Sequence, residues 1–104
     1  MIARIWHGRT QASDGDAYRE YVMESGVKEL QRTPGNRGVY LLRAVREEVA
    51  EFLVVSLWDS FDAIRAFAGE DLGKARYFDQ DRKFLLEFEP NVVHYEVLSA
   101  PSTS

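Results

Sequence analysis

The sequence predicts an α+β domain of order β-α-β-β-α-β, and three observations carry that expectation. Phe52 to Phe67 runs from an apolar strand pattern through Trp58-Asp59-Ser60 directly into an amphipathic helix. Gly38 to Arg46 and Val49 to Trp58 are β-rich runs joined by a short charged link at Glu47-Glu48, the spacing of a hairpin. Further β-rich runs stand near each end of the chain, and a four-residue apolar recurrence fills the interval after the first.

Ile2 to Arg9 is β-branched and aromatic and is followed by a polar loop, so it reads as the first strand. Ser13 stands three residues before Asp16, an N-cap with a carboxylate near the positive end of the helix dipole, and Tyr18, Val22, Gly26 and Leu30 recur every fourth position. Gly26 falls on that inward face, where it either admits close packing or interrupts the helix. Thr33-Pro34-Gly35-Asn36 has turn chemistry and ends the helix. After the hairpin, Asp59 is the expected N-cap of a helix whose Ile64, Phe67 and Ala68 share one face, with Gly69 placed to stop it. Asp79 is expected to cap a short helix carrying Phe84, Leu85 and Phe88 inward as far as Pro90. Val92 to Leu98 is the last strand. The domain is thus expected over residues 1–98, with 99–104 a fraying polar tail.

This order is the ferredoxin-like split βαβ, an antiparallel four-stranded sheet in the order 4-1-3-2 with both helices on one face. Leu53, Val55 and Leu57 oppose Phe52, Val54 and Trp58, so both faces of the third strand are apolar, and the uncovered face is expected to meet a second copy in a barrel-like homodimer. With the first and third strands read as parallel, His7, Trp58 and His94 fall near one end of the sheet. A register that sets Arg9 opposite Val92 places His7 about 5 Å from His94.

Composition narrows the function. The 104 residues are 45% hydrophobic and 29% charged, which suits one compact domain. A net charge of −4 with scattered Lys and Arg excludes a basic face for nucleic acid. The chain has no cysteine, hence neither disulfide nor thiolate chemistry, and a cytoplasmic location is the default expectation. No run approaches the ~18 apolar residues of a membrane span. Two histidines and Glu96 show no spacing that forces a metal geometry, and phosphate-loop and nucleophile-elbow patterns are absent.

Ala3-Arg4-Ile5-Trp6, Thr33-Pro34-Gly35 and above all Ser56-Leu57-Trp58-Asp59-Ser60, with the helix Ile64 to Phe67 behind it, resemble the antibiotic biosynthesis monooxygenase-like dimeric α+β barrels. That group includes cofactor-free anthrone oxygenases and haem-degrading monooxygenases. The resemblance implies a small monooxygenase, needing no cofactor, that oxidises an aromatic or polyketide-like compound. His7 or His94 would be the base, Trp58 would donate its indole N–H, and Tyr77 would supply a hydroxyl. Val54, Phe67 and Leu72 would wall the substrate site. Haem binding or degradation is the alternative, although Tyr77 stands at the best match to the axial histidine of haem degraders, and Val54 stands where anthrone oxygenases carry asparagine. A non-catalytic small-ligand-binding dimer is the third reading.

Overall fold

A computed structural model describes residues 1–101. Strand β1 (Ile2–Gln11) leads through a 3-10 turn (Ala12–Asp14) into helix α1 (Gly15–Val22). A π-helical turn (Met23–Val27) and helix α2 (Lys28–Arg32) continue the same rod. Strands β2 (Asn36–Arg46) and β3 (Val49–Trp58) form the hairpin, helix α3 (Phe61–Ala68) follows, and β4 (Val93–Glu96) closes the sheet. The strand order β2-β3-β1-β4 is the expected ferredoxin-like arrangement. Residues 102–104 of the expected tail lie outside the described residues.

Two expectations about this sheet are corrected. β1 and β3 run antiparallel, with Ile2 opposite Trp58 and Gln11 opposite Val49. The helical rod returns the chain before β2, so β2 points the same way as β1, and the hairpin reverses β3 against both. The β1–β4 register also differs, since Arg4 faces His94 and Ile5 faces Val93. Strand period is two, so His7, three positions from Arg4, projects from the other face of the sheet.

The alternation of β3 sorts the two faces. Ala50, Phe52, Val54, Ser56 and Trp58 are buried beneath the helices, and the residues between them are half-exposed. On the helix side they pack with Tyr18, Val22, Val27, Leu30, Ile64 and Leu85 into one core. The uncovered side presents Tyr40 and Leu42 from β2 and Val93 and Tyr95 from β4, all exposed.

Helix boundaries follow local chemistry, with some residues changing roles. Ser60 caps α3 in place of Asp59, its Oγ accepting from the Ala63 amide at 3.2 Å, and Asp59 instead accepts from Arg37 Nε at 2.6 Å. Ser13 makes no cap contact, since the 3-10 turn precedes α1. Gly26 neither ends nor breaks the first helix but lies in its π-helical turn, where Phe78 packs over it. The expected helix after Asp79 is only a 3-10 turn (Asp81–Lys83), and Phe88 is exposed. Asp81, not Asp79, organises this turn, accepting from the Phe78 amide at 2.6 Å. The segment leading to β4 is fastened by backbone bonds from Leu86 N to Arg9 O, Ala75 N to Pro90 O and Val92 N to Gly73 O.

Two glycines have different reasons to be glycine. Gly69 ends α3 at φ 84° and ψ −168°, with open space where a Cβ would stand. Gly35 combines φ 91° with a Cβ position only 2.4 Å from the Ala63 Cβ, because the turn before β2 presses on the start of α3. Gly69→Ala is expected to cost about 1–3 kcal/mol of backbone strain. Gly35→Ala carries the steric overlap in addition, so its urea midpoint should be the lower of the two.

Candidate functional site

A cavity of about 50 Å³ lies between the helix-facing side of the sheet and the helical layer, open on one side. Its apolar wall includes Val54, Phe67 and Phe78, and its polar groups include Arg4, Ser56 and Asp81. The space exists where the glycine of the π-helical turn withholds a side chain and irregular residues 69–80 replace what a longer helix would fill.

Arg4 is the most unusual of these groups. It projects from near the start of β1 toward the helices and is only 3% exposed. Its Nη1 donates to the Leu72 carbonyl at 2.6 Å and to His94 Nε2 at 3.2 Å, and its Nη2 donates to the Lys74 carbonyl at 3.1 Å. All three acceptors are neutral, and no carboxylate of the described residues neutralises the guanidinium. Burial lowers its pKa to about 10. Since arginine only donates, His94 accepts through Nε2 and carries its proton on Nδ1. Burial, then the Arg4 charge, hold the His94 pKa below its ordinary value, so the ring is neutral at pH 7.

Asp81 is the second buried ionisable group, 4% exposed. Its Oδ1 accepts from the Tyr18 hydroxyl at 2.9 Å, and Oδ2 accepts the Phe78 amide. Desolvation raises the carboxyl pKa and outweighs both hydrogen bonds, which act in the opposite sense. The Tyr18 phenol is raised as well, by burial first and by Asp81 next. Arg4 and Asp81 line the same cavity without forming an ion pair, so it has a cationic side and a separate proton-accepting side.

The residues singled out in the sequence are scattered by the antiparallel pairing. Val54 and Phe67 stand in the cavity wall. Leu72 packs against the core, and its carbonyl accepts from Arg4. Trp58 is fully buried near the Ile2 end of β1, and its indole N–H is taken by Ser56 Oγ at 2.9 Å. Tyr77 packs edge-on to Trp6 and Phe88, and its hydroxyl donates to the Glu89 carbonyl. It borders a shallow groove with Phe78 and Arg82, outside the main cavity.

His7 and His94 do not meet. His94 sits behind Arg4, whereas His7 lies on the uncovered sheet face, roughly 17 Å along β1 from the Trp58 end at ~3.4 Å per residue. There its Nε2 bonds Glu51 at 3.0 Å and its Nδ1 bonds Glu89. Two cavity groups escaped the sequence reading, and only one left a trace. Arg4, a charge within the apolar start of β1 from Ile2 to Trp6, was a detectable anomaly, because charged residues are seldom fully buried. Asp81 sits in an irregular segment whose folding over the helices has no periodic signature.

Fold and cavity together define a small α+β domain of ferredoxin-like topology with a small cavity under its helices. Residues 1–75 match the family model for antibiotic biosynthesis monooxygenase, and the chain belongs to that family. Among curated proteins none matches the sequence. Solved structures share the fold at low identity. A Bacillus cereus protein provisionally described as an antibiotic biosynthesis monooxygenase is 14% identical with a TM-score of 0.68, covering 98% of this chain and 97% of its own. The haem degrader MhuD of Mycobacterium tuberculosis, solved with two haems in its active site, is 20% identical with a TM-score of 0.66, covering 98% and 100%. A Nitrosomonas europaea protein with the same provisional description as the first is 15% identical with a TM-score of 0.67, covering 95% and 100%.

The His7 cluster gives stability a pH signature. Desolvation alone would lower the imidazole pKa, but hydrogen bonds and charge from Glu51 and Glu89 outweigh it and raise the pKa above 6.5. Glu51 is lowered below 4.5, first by its bond to His7. The histidine contribution is complete below pH 6.5 and is lost as pH rises through the raised folded value. The Glu51 contribution is present above 4.5 and lost on further acidification through the lowered folded value. Urea midpoints should therefore fall between pH 6 and 8 in the native chain, and His7→Gln should flatten that decline.

Proposed function

We propose that the chain is a small cofactor-independent monooxygenase acting on an aromatic or polyketide-like compound bound between the sheet and the helices. The observation that carries this reading is Asp81: a buried carboxyl with a raised pKa in the wall of the cavity, unpaired with the guanidinium on the cavity's other side. Oxidation without a cofactor requires an electron-rich carbon acid to lose a proton, after which the anion delivers electrons to O2 and a C–O bond forms. Loss of water from the resulting hydroperoxide leaves a carbonyl, with one oxygen atom in the product and one in water. The protein must supply a base, shelter the anion and exclude solvent. Asp81 is placed to take the proton, Tyr18 to hold the carboxyl in position, and Val54 and Phe67 to contact the ring. His94 acts through Arg4 and is a positioning residue, not the base.

At about 50 Å³ the cavity is well below the ~300 Å³ at which small-molecule pockets begin, so a ring system enters only if part of the wall yields. The wall suited to yield is formed by the side chains of Arg76 and Phe78. Arg76 there is partly exposed, donates to the Phe67 carbonyl at 3.0 Å and lies over the Phe67 and Phe78 rings. Swinging the Arg76 side chain outward breaks its bond to the Phe67 carbonyl and its 3.8 Å pair with Glu29, and it opens the cavity toward solvent while the Leu72 and Lys74 carbonyls stay on Arg4.

Haem is the competing reading, since MhuD binds it on the same fold. The residues of this chain do not suit an iron ligand set. No histidine lines the cavity, the hydroxyl of its one tyrosine, Tyr18, is committed to Asp81, and the Tyr77 hydroxyl is engaged outside it. Dimerisation is part of the proposal as well: Tyr40, Leu42, Val93 and Tyr95 form an exposed apolar face that a second copy covers in an isologous contact.

Three measurements test this account. Oxygen uptake with anthrones and electron-rich phenols should be detectable without added cofactor, and Asp81→Asn should lower kcat about 10²- to 10⁴-fold with the far-UV spectrum unchanged. Ligand binding without any oxygen uptake would instead favour the non-catalytic reading. Haemin added at equimolar concentration should keep its free spectrum, and a shifted Soret band would revive the haem reading. Light scattering should give twice the chain mass of 11.9 kDa, and Leu42→Glu should reduce it toward one.

A further inference from the structure

We infer that Arg4 is an anion-recognition residue and that the ligand of the cavity is an aromatic compound carrying an ionised oxygen, as a carboxylate or a phenolate. The inference rests on the proposed ligand-binding role of the cavity and adds to it the charge of the molecule bound.

A guanidinium has five N–H donors in one plane. Leu72, His94 and Lys74 accept three of them, two with carbonyls and one with a neutral imidazole, and the Nε–H is among those left over. The residue is 3% exposed, so water does little for its charge, and the acceptors in place neutralise none of it. A buried charge without a counter-ion is costly, and the usual remedies are a paired opposite charge or neutralisation. Arginine does not deprotonate at neutral pH, even with its pKa lowered to about 10. The missing partner is therefore an anion that the chain does not supply, and the cavity bordering Arg4 is where it fits.

The remaining surroundings define the rest of the ligand. The Phe67 ring stands 5.8 Å from the Arg4 carbon Cζ, and Val54 adjoins it in the cavity wall, so the anionic atom is attached to a flat apolar body. Asp81 repels an anion placed next to it. Because Asp81 and Arg4 are not paired, the ionised oxygen belongs at the Arg4 side and the carbon acid at the Asp81 side. His94 and the carbonyls of Leu72 and Lys74 fix the guanidinium plane, which prepares it for a bidentate or single-oxygen acceptor. A role confined to clamping residues 72–74 onto β1 would give no preference among ligands by charge.

The test compares isosteric ligands on the intact chain by calorimetry at pH 7.5. 2-Naphthoate should bind at least tenfold more tightly than neutral 2-naphthamide, and a nitronaphthol ionised at this pH shows whether phenolate is accepted as well as carboxylate. Arg4→Gln should reduce the naphthoate preference to under threefold, and Arg4→Lys should retain part of it. Arg76, the other arginine bordering the cavity, is the control: Arg76→Gln should leave the preference in place. Equal binding of naphthoate and naphthamide to the native chain overturns the inference even if Arg4→Gln fails to fold. So does a preference that survives Arg4→Gln or disappears in Arg76→Gln. If neither compound binds, the ligand-binding reading falls and the inference with it, whereas equal binding removes the inference alone.

Discussion

The register of β1 against β3 is the constraint on which the rest of the structure depends. With Ile2 opposite Trp58 and an antiparallel pairing, the even-numbered residues of both strands face the helices and the odd-numbered ones face away. That single parity puts Arg4, Trp6, Val54 and Ser56 around one cavity and sends His7 to the opposite surface. A slip of β3 by one residue would turn Glu51 beneath the helices and expose Phe52 and Trp58, and the same slip of β1 would bury His7 and expose Arg4. Burial of Phe52, Trp58 and Ile64, each at most 1% exposed, opposes that slip, so the packing of the core and the assembly of the site have one physical origin.

Two features of the cavity are unusual for a core, and they complement each other. A guanidinium is buried against neutral acceptors, and a carboxyl is buried with a raised pKa. Had they formed an ion pair, both would be satisfied and the site would be inert packing. Held apart, each keeps unsatisfied capacity, the cation for a developing anion and the carboxyl for a proton. That separation suits proton abstraction from a substrate bound between them, followed by stabilisation of the anion in a medium of low dielectric. Asp81 also shapes the 3-10 turn, so the proposed base and the segment that borders the cavity are formed by the same contacts.

Most of the fold was legible from patterns that local physics enforces. The alternation of Phe52 to Trp58, the turn residues Thr33 to Gly35 and the stop at Gly69 each reflect a constraint within a few positions of chain. The βαββαβ order and the family resemblance followed from them. The direction of β1 relative to β3 was misread, and the misreading propagated: it brought His7, Trp58 and His94 together on paper when the chain holds them apart. The cavity was legible only in its apolar wall, at Val54 and Phe67. Its charged groups depend on contacts distant in sequence, Arg4 with Leu72 and Lys74, Asp81 with Tyr18, and no local pattern encodes those. The charge at position 4 of a buried strand was the one sign available.

The most direct measurement is a crystal structure of the chain with 2-naphthoate bound. The account predicts the ring against Val54 and Phe67, the carboxylate within hydrogen-bonding distance of Arg4, and the Arg76 side chain displaced outward to admit it. A ligand seated instead on the outer sheet face beside His7, with the Arg4 cavity closed and empty, would contradict it.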